Sequence, residues 1–157
     1  MSINIHKRLH HRAPYLLVDK VLEHSSEHIV AAKTPALEDF YIQGHFPGAH
    51  VVPGAMMQEM TTQTAGLLIA EHHSPVADYD SEVTKGYALG VLRSVHHSKF
   101  KKFARPGEKL EIHVRLIEKN EQLFRFKGSI FVGEDKIMSN EFTLINISDT
   151  HILDFNR

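Results

Sequence analysis

Residues 55–72 run without proline and with a single glycine, Gly66, and the stretches Ala55-Met56-Met57 and Ala65-Gly66-Leu67-Leu68-Ile69-Ala70 are apolar nearly all round. Ala, Met, Gln, Glu and Leu favour helix, while Thr61, Thr62 and Thr64 weaken the local propensity, so the segment reads as one helix held by burial. At about 1.5 Å per residue it is roughly 27 Å long. A helix with no broad polar stripe has to be covered on all sides. The rest of the chain is therefore limited to architectures that can wrap it.

Strands supply that wrapping. Residues 87–96, 109–118, 123–132 and 136–147 read as strands, separated by Arg105-Pro106-Gly107-Glu108, Lys119-Asn120-Glu121 and Gly133-Glu134-Asp135. Ile112, Val114 and Leu116 alternate with His113, Arg115 and Ile117, and Phe124, Phe126 and Gly128 alternate with Arg125 and Lys127, the period of half-buried antiparallel strands. Ahead of the helix, residues 16–22 and 28–33 read as a hairpin around Ser25-Ser26-Glu27. Residues 5–11 suit one or two helical turns ended before Pro14. Residues 40–54, with two prolines and three glycines, read as an ordered loop, and 74–86 as a polar, acidic connection. One long helix with about six strands predicts an α+β domain in which a curved antiparallel sheet wraps the helix. A chain of 157 residues holds one such domain, expected over 1–147, with a tail at 148–157 that has no assigned role.

Composition narrows the chemistry. Eighteen Lys+Arg against 19 Asp+Glu leave a net charge of -1, which argues against nucleic acid as the main partner. No apolar run approaches the roughly 20 residues that span a bilayer, and the first residues lack the apolar core of a signal peptide, so a cytoplasmic protein with no membrane partner is expected. Zero cysteines exclude disulfides, a thiolate nucleophile and Cys-ligated metal sites. Thirteen histidines include the pairs His10-His11, His72-His73 and His96-His97. Adjacent side chains diverge on a helix or a strand, so these pairs read as solvated surface residues, and no metal or other cofactor is expected.

The segment that carries chemistry is Gly44-His45-Phe46-Pro47-Gly48, followed by Val52-Pro53-Gly54 and by Glu59 within an otherwise apolar helix start. A carboxylate on a buried helix costs several kcal/mol unless it is paired or neutralised. Glu59 alone could complement the helix macrodipole, but it lies five residues past Gly54, where that effect is weak. His45 alone could be a loop histidine that holds the backbone. Gln63 lies one turn beyond Glu59 on the same face, within hydrogen-bonding reach.

These residues resemble those of the (3R)-hydroxyacyl-[acyl-carrier-protein] dehydratases of the FabZ type. The matching stretches are His11-Arg12-Ala13-Pro14-Tyr15-Leu16-Leu17-Val18-Asp19-Lys20-Val21, Gln43-Gly44-His45-Phe46-Pro47-Gly48, Pro53-Gly54, Glu59 with Gln63, Ala65 and Gly66, Phe100-Lys101, and Pro106-Gly107-Glu108-Lys109-Leu110. The resemblance implies a hot-dog fold dimerised through continuous sheet, commonly as a trimer of dimers, with sites at the subunit interface. It implies that His45 of one subunit removes the α-proton of a 3-hydroxyacyl thioester and that Glu59 of the other protonates the departing hydroxyl. Gly54, Gln63, Phe46 and Pro53 are then substrate-binding residues, with the Gly54 amide a fitting donor to the thioester carbonyl. The related FabA branch has aspartate where this chain has Glu59, which favours dehydration without isomerisation. Departures from the family pattern at Val52, Ala55 and Thr61-Thr62 fall on the expected acyl tunnel.

The implied partner is acyl carrier protein, which is acidic. Residues 85–109 hold seven basic residues against one acid, Glu108, and Lys99, Lys101, Lys102 and Arg105 form a candidate docking patch within them. Taken singly, each lysine also reads as a guard on a solvated strand edge. Two other readings of the same scaffold are a hot-dog acyl thioesterase and a catalytically silent acyl-binding protein.

Overall fold

A computed structural model of the protein describes residues 2–154 and 156. The apolar segment forms helix α3, Gly54–His72, and everything else is arranged around it. Ahead of α3 come the single turn α1 (Ile5–Arg8), strands β1 (Lys20–His24) and β2 (His28–Lys33), and the short helix α2 (Phe40–Gln43). After it come β3 (Tyr87–Phe100), β4 (Leu110–Asn120), β5 (Leu123–Val132), β6 (Asp135–Ser148) and the turn of helix α4 (Thr150–Leu153). The six strands make one antiparallel sheet in the order β1-β2-β4-β5-β6-β3. This is the expected α+β architecture, a sheet wrapped on a central helix.

Burial follows the sequence pattern. Leu67, Leu68 and Ile69 on α3 are inaccessible, as are Ile112, Phe126, Ile130, Phe142 and Leu144 on the sheet face that meets it. Phe126 and Phe142 are cross-strand partners whose rings stack at 5.7 Å between centroids. The threonines that weaken the helix are buried without loss of hydrogen bonds. Thr61 and Thr62 donate to the Gln58 carbonyl at 2.7 and 3.1 Å, and Thr64 donates to the Met60 carbonyl at 2.8 Å. Asn140 on β6 donates to Thr61 Oγ1 and to Gln58 Oε1, each at 2.8 Å, linking sheet to helix through polar groups.

Several boundaries differ from the sequence reading. The first strand begins at Lys20 and not at Leu16, because the Leu17 N–H donates to Gln63 Oε1 of α3 at 2.8 Å and not to a neighbouring strand. The segment 40–54 opens with α2, whose Tyr41 and Ile42 reach the core. Strand β3 continues to Phe100 along β6. The tail is not wholly irregular, since it carries α4.

Candidate active site

His45 sits just beyond α2, where its N–H donates to the Ile42 carbonyl at 3.0 Å. Its Nδ1 lies 2.9 Å from the Val51 carbonyl oxygen. A carbonyl only accepts, so Nδ1 carries the proton and Nε2 is left with a lone pair, the arrangement a general base needs. The same loop is fastened by His50 Nδ1, which donates to the Ile42 carbonyl at 3.0 Å, and by Val52 N–H, which donates to Ala104 at 2.8 Å. Phe46, at φ 54°, packs edge-on against the His45 ring with centroids 4.5 Å apart.

The loop delivers His45 to a cavity of about 660 Å³ that also takes Phe46, Gly54, Phe100 and Phe103 in its wall. The Gly54 N–H belongs to the first turn of α3 and has no partner within the helix, so it is a donor at the helix's positive end. A Cβ on Gly54 would lie 3.1–3.3 Å from three carbons of the Phe100 ring, which explains the absence of a side chain there. Pro53 caps the helix, its carbonyl accepting from Met56 and Met57 at 3.0 and 3.1 Å, and is not among the residues that line this cavity.

Glu59 faces a different cavity, of about 550 Å³, shared with His11, Thr62, Leu89 and Val91. Gln63 Nε2 donates to Glu59 Oε1 at 2.9 Å and to the Tyr15 carbonyl at 2.8 Å. Gln63 is itself buried, and its three bonds tie Glu59 and the 15–17 segment to one helical turn. Burial raises the Glu59 pKa, and the bond from Gln63 offsets only part of that rise. His11 Nε2 stands 3.6 Å from Glu59 Oε1, but burial, and then the neighbouring His10 and Arg12, lower the His11 pKa. Both shifts run toward the neutral forms, which weakens any charge pairing across this contact.

Within one chain, then, the base and the acid line separate cavities, and no hydrogen bond or ion pair among the described residues joins them. Strand β3 lies at one edge of the sheet, with Leu92, Val95 and Phe100 exposed along it. Such an edge presents an unpaired ladder to a second chain.

Residues 9–141 match the FabA-like domain. The chain belongs to the FabA-like family. It is 37% identical to the 3-hydroxyacyl-[acyl-carrier-protein] dehydratase FabZ of Petrotoga mobilis over 83% of this chain and 86% of that one. To the FabZ of an Anaeromyxobacter species it is 32% identical, over 88% and 84%. Among solved structures it resembles the dehydratase heterocomplex ApeI:P from Xenorhabdus doucetiae, with a TM-score of 0.79 at 19% identity over 96% of this chain and 95% of that one. That likeness bears on the fold alone, and the fold is the hot-dog.

In this FabA-like domain three of the four cations read as a docking patch line one cavity. Lys101, Lys102 and Arg105 rim the His45 cavity, whereas Lys99 lies outside its wall on β3, opposite Ser139. Lys102 Nζ is 2.6 Å from Asp135 Oδ1, so part of its charge is answered within the chain.

Sequence reasoning missed His11 and the tail. The histidine pairs are not merely solvated: His10 Nε2 bonds the Tyr79 hydroxyl, His11 faces Glu59, and His72 Nε2 lies 2.9 Å from His24 Nδ1. The tail places Asp149, Ile152 and Leu153 in the wall of the Glu59 cavity. Two adjacent large apolar residues in a polar tail were the available signal.

Proposed function

We propose that the protein dehydrates (3R)-3-hydroxyacyl thioesters borne on acyl carrier protein to trans-2-enoyl thioesters, in fatty-acid or related lipid biosynthesis. The observation that carries this reading is a histidine with a free Nε2 and a carboxyl whose pKa burial raises, in a chain of the family whose curated relatives bear that activity in their names. His45 Nε2 takes the α-proton. The charge that builds on the thioester oxygen is met by the Gly54 N–H at the positive end of α3. Glu59, in its protonated form, gives its proton to the β-hydroxyl, which leaves as water while the α–β double bond forms. His45 ends as imidazolium and Glu59 as carboxylate, and one proton passes from the first to the second through solvent before the next turnover.

Because the two residues line different cavities of one chain, the complete site takes His45 from one copy and Glu59 from another. The edge of β3 is the surface through which two copies extend one sheet. Phe46 shapes the mouth beside His45, Pro53 sets the start of α3 and with it the Gly54 N–H, and Gln63 holds the acid. Lys101, Lys102 and Arg105, with Lys99 nearby, receive the acidic carrier. Among the described residues no helix is long and apolar enough to cross a membrane, and the reading assigns the enzyme to the cytoplasm.

The test is to incubate purified protein with 3-hydroxybutyryl and longer 3-hydroxyacyl thioesters and follow enoyl absorbance and free thiol together. Dehydration gives enoyl absorbance without thiol. Thiol release identifies a thioesterase, and neither signal identifies a silent acyl binder.

A further inference from the structure

The tail lies outside the segment matched by the family, yet it is not loosely attached. Strand β6 ends at Ser148 opposite Tyr87, the first residue of β3. Directly beyond it, Asp149 grips the turn before β3 at two points. Its carboxylate Oδ2 accepts from the Gly86 N–H at 3.0 Å, and its own N–H donates to the Gly86 carbonyl at 3.2 Å. The Asp149 carbonyl then accepts from Ile152 and Leu153 at 3.0 and 3.1 Å, closing the single turn of α4. This geometry presents two large apolar side chains, Ile152 at 56% exposure and Leu153 at 65%.

Both line the cavity whose other walls include Glu59, Thr62, Leu89 and Val91. Its volume of about 550 Å³ is that of a small-molecule site. Exposed aliphatic side chains anchored at the wall of the cavity that also takes Glu59 have an evident use. We propose that α4 is the far wall of the acyl-chain site, and that Ile152 and Leu153 make the protein select for longer chains. The inference rests on the proposed dehydratase reading for its substrate, but its geometry requires only that an acyl chain enter the Glu59 cavity.

Each methylene that the wall covers is worth about fourfold in affinity, so two lost contacts amount to at least about tenfold. The test measures binding of the N-acetylcysteamine thioesters of 3-hydroxybutyrate and 3-hydroxydecanoate by calorimetry. It compares wild type with Ile152→Ser/Leu153→Ser and with Asp149→Ala, which removes the carboxylate half of the grip on Gly86. The wild type should bind the ten-carbon probe more tightly than the four-carbon one. That preference should fall about tenfold or more in the double variant, and in the same direction in Asp149→Ala, with thermal melting showing that each stays folded. An unchanged preference in the double variant, or a wild type indifferent to length, overturns the proposal. Turnover separates the two ideas. Length-dependent binding without dehydration would sink the dehydratase reading and leave the wall intact, whereas dehydration with an unaltered preference would do the reverse.

Discussion

Burial pushes Glu59 toward its neutral form, and Gln63, one helical turn on, returns only part of that shift. The consequence for stability has a definite sign. A carboxyl whose folded-state pKa exceeds its ordinary 4.5 binds its proton more tightly folded than unfolded. Its contribution is complete below pH 4.5 and is lost as the pH rises through the raised folded value. Glu59→Gln keeps the shape and has no proton to lose, and His11, the facing titratable group, is common to both proteins. Thermal melting of the two across pH 4 to 8 should show the variant gaining on the wild type as the pH rises, and a constant difference would contradict the burial argument. Residue-scale features of this kind were legible where spacing is local: Gln63 and Glu59 share a helix face. His11 was not legible, because it meets Glu59 through tertiary packing, and nothing in an adjacent histidine pair tells which imidazole turns inward.

Helix α3 approaches β3 closely enough to exclude a side chain from the strand at Gly90. Gly90 lies in the irregular register between Ala88 and Val91, at φ 70°, and a Cβ there would lie 3.2 Å from the Gly66 Cα. Gly90→Ala therefore meets an unfavourable backbone region and a backbone obstacle that cannot rotate away. It should cost about 1–3 kcal/mol, read as a lower denaturation midpoint with an unchanged slope. A midpoint equal to wild type would show that the helix has room to retreat. The long elements were readable in the sequence because period and burial agree: an apolar run without proline for α3, and alternation for β4 and β5. The short ones were not. Helix α2 is hidden among prolines and glycines that signal a loop, and the start of β1 depends on a side chain of α3 claiming the Leu17 N–H, which no local pattern encodes.

At the scale of the whole molecule, net charge conceals the uneven distribution that matters for a carrier. Lys101 and Lys102 are exposed at the rim of the His45 cavity. Reversing both, in Lys101→Glu/Lys102→Glu, should lower kcat/KM for carrier-bound substrate about tenfold or more at low salt, while a short pantetheine thioester is turned over as before. Equal losses on both substrates would mean that the pair shapes the site and does not dock the carrier. The same scale holds the central claim, a catalytic pair divided between two chains. His45→Ala and Glu59→Gln should each lose about 10²–10⁴-fold in turnover while remaining folded. Unfolding the two variants together and refolding them as an equal mixture makes half the dimers mixed, and symmetry gives each of those one intact site and one doubly defective site. The account predicts recovery to about a quarter of wild-type activity. No recovery, with mixed dimers shown to have formed, would mean that both residues act within one chain.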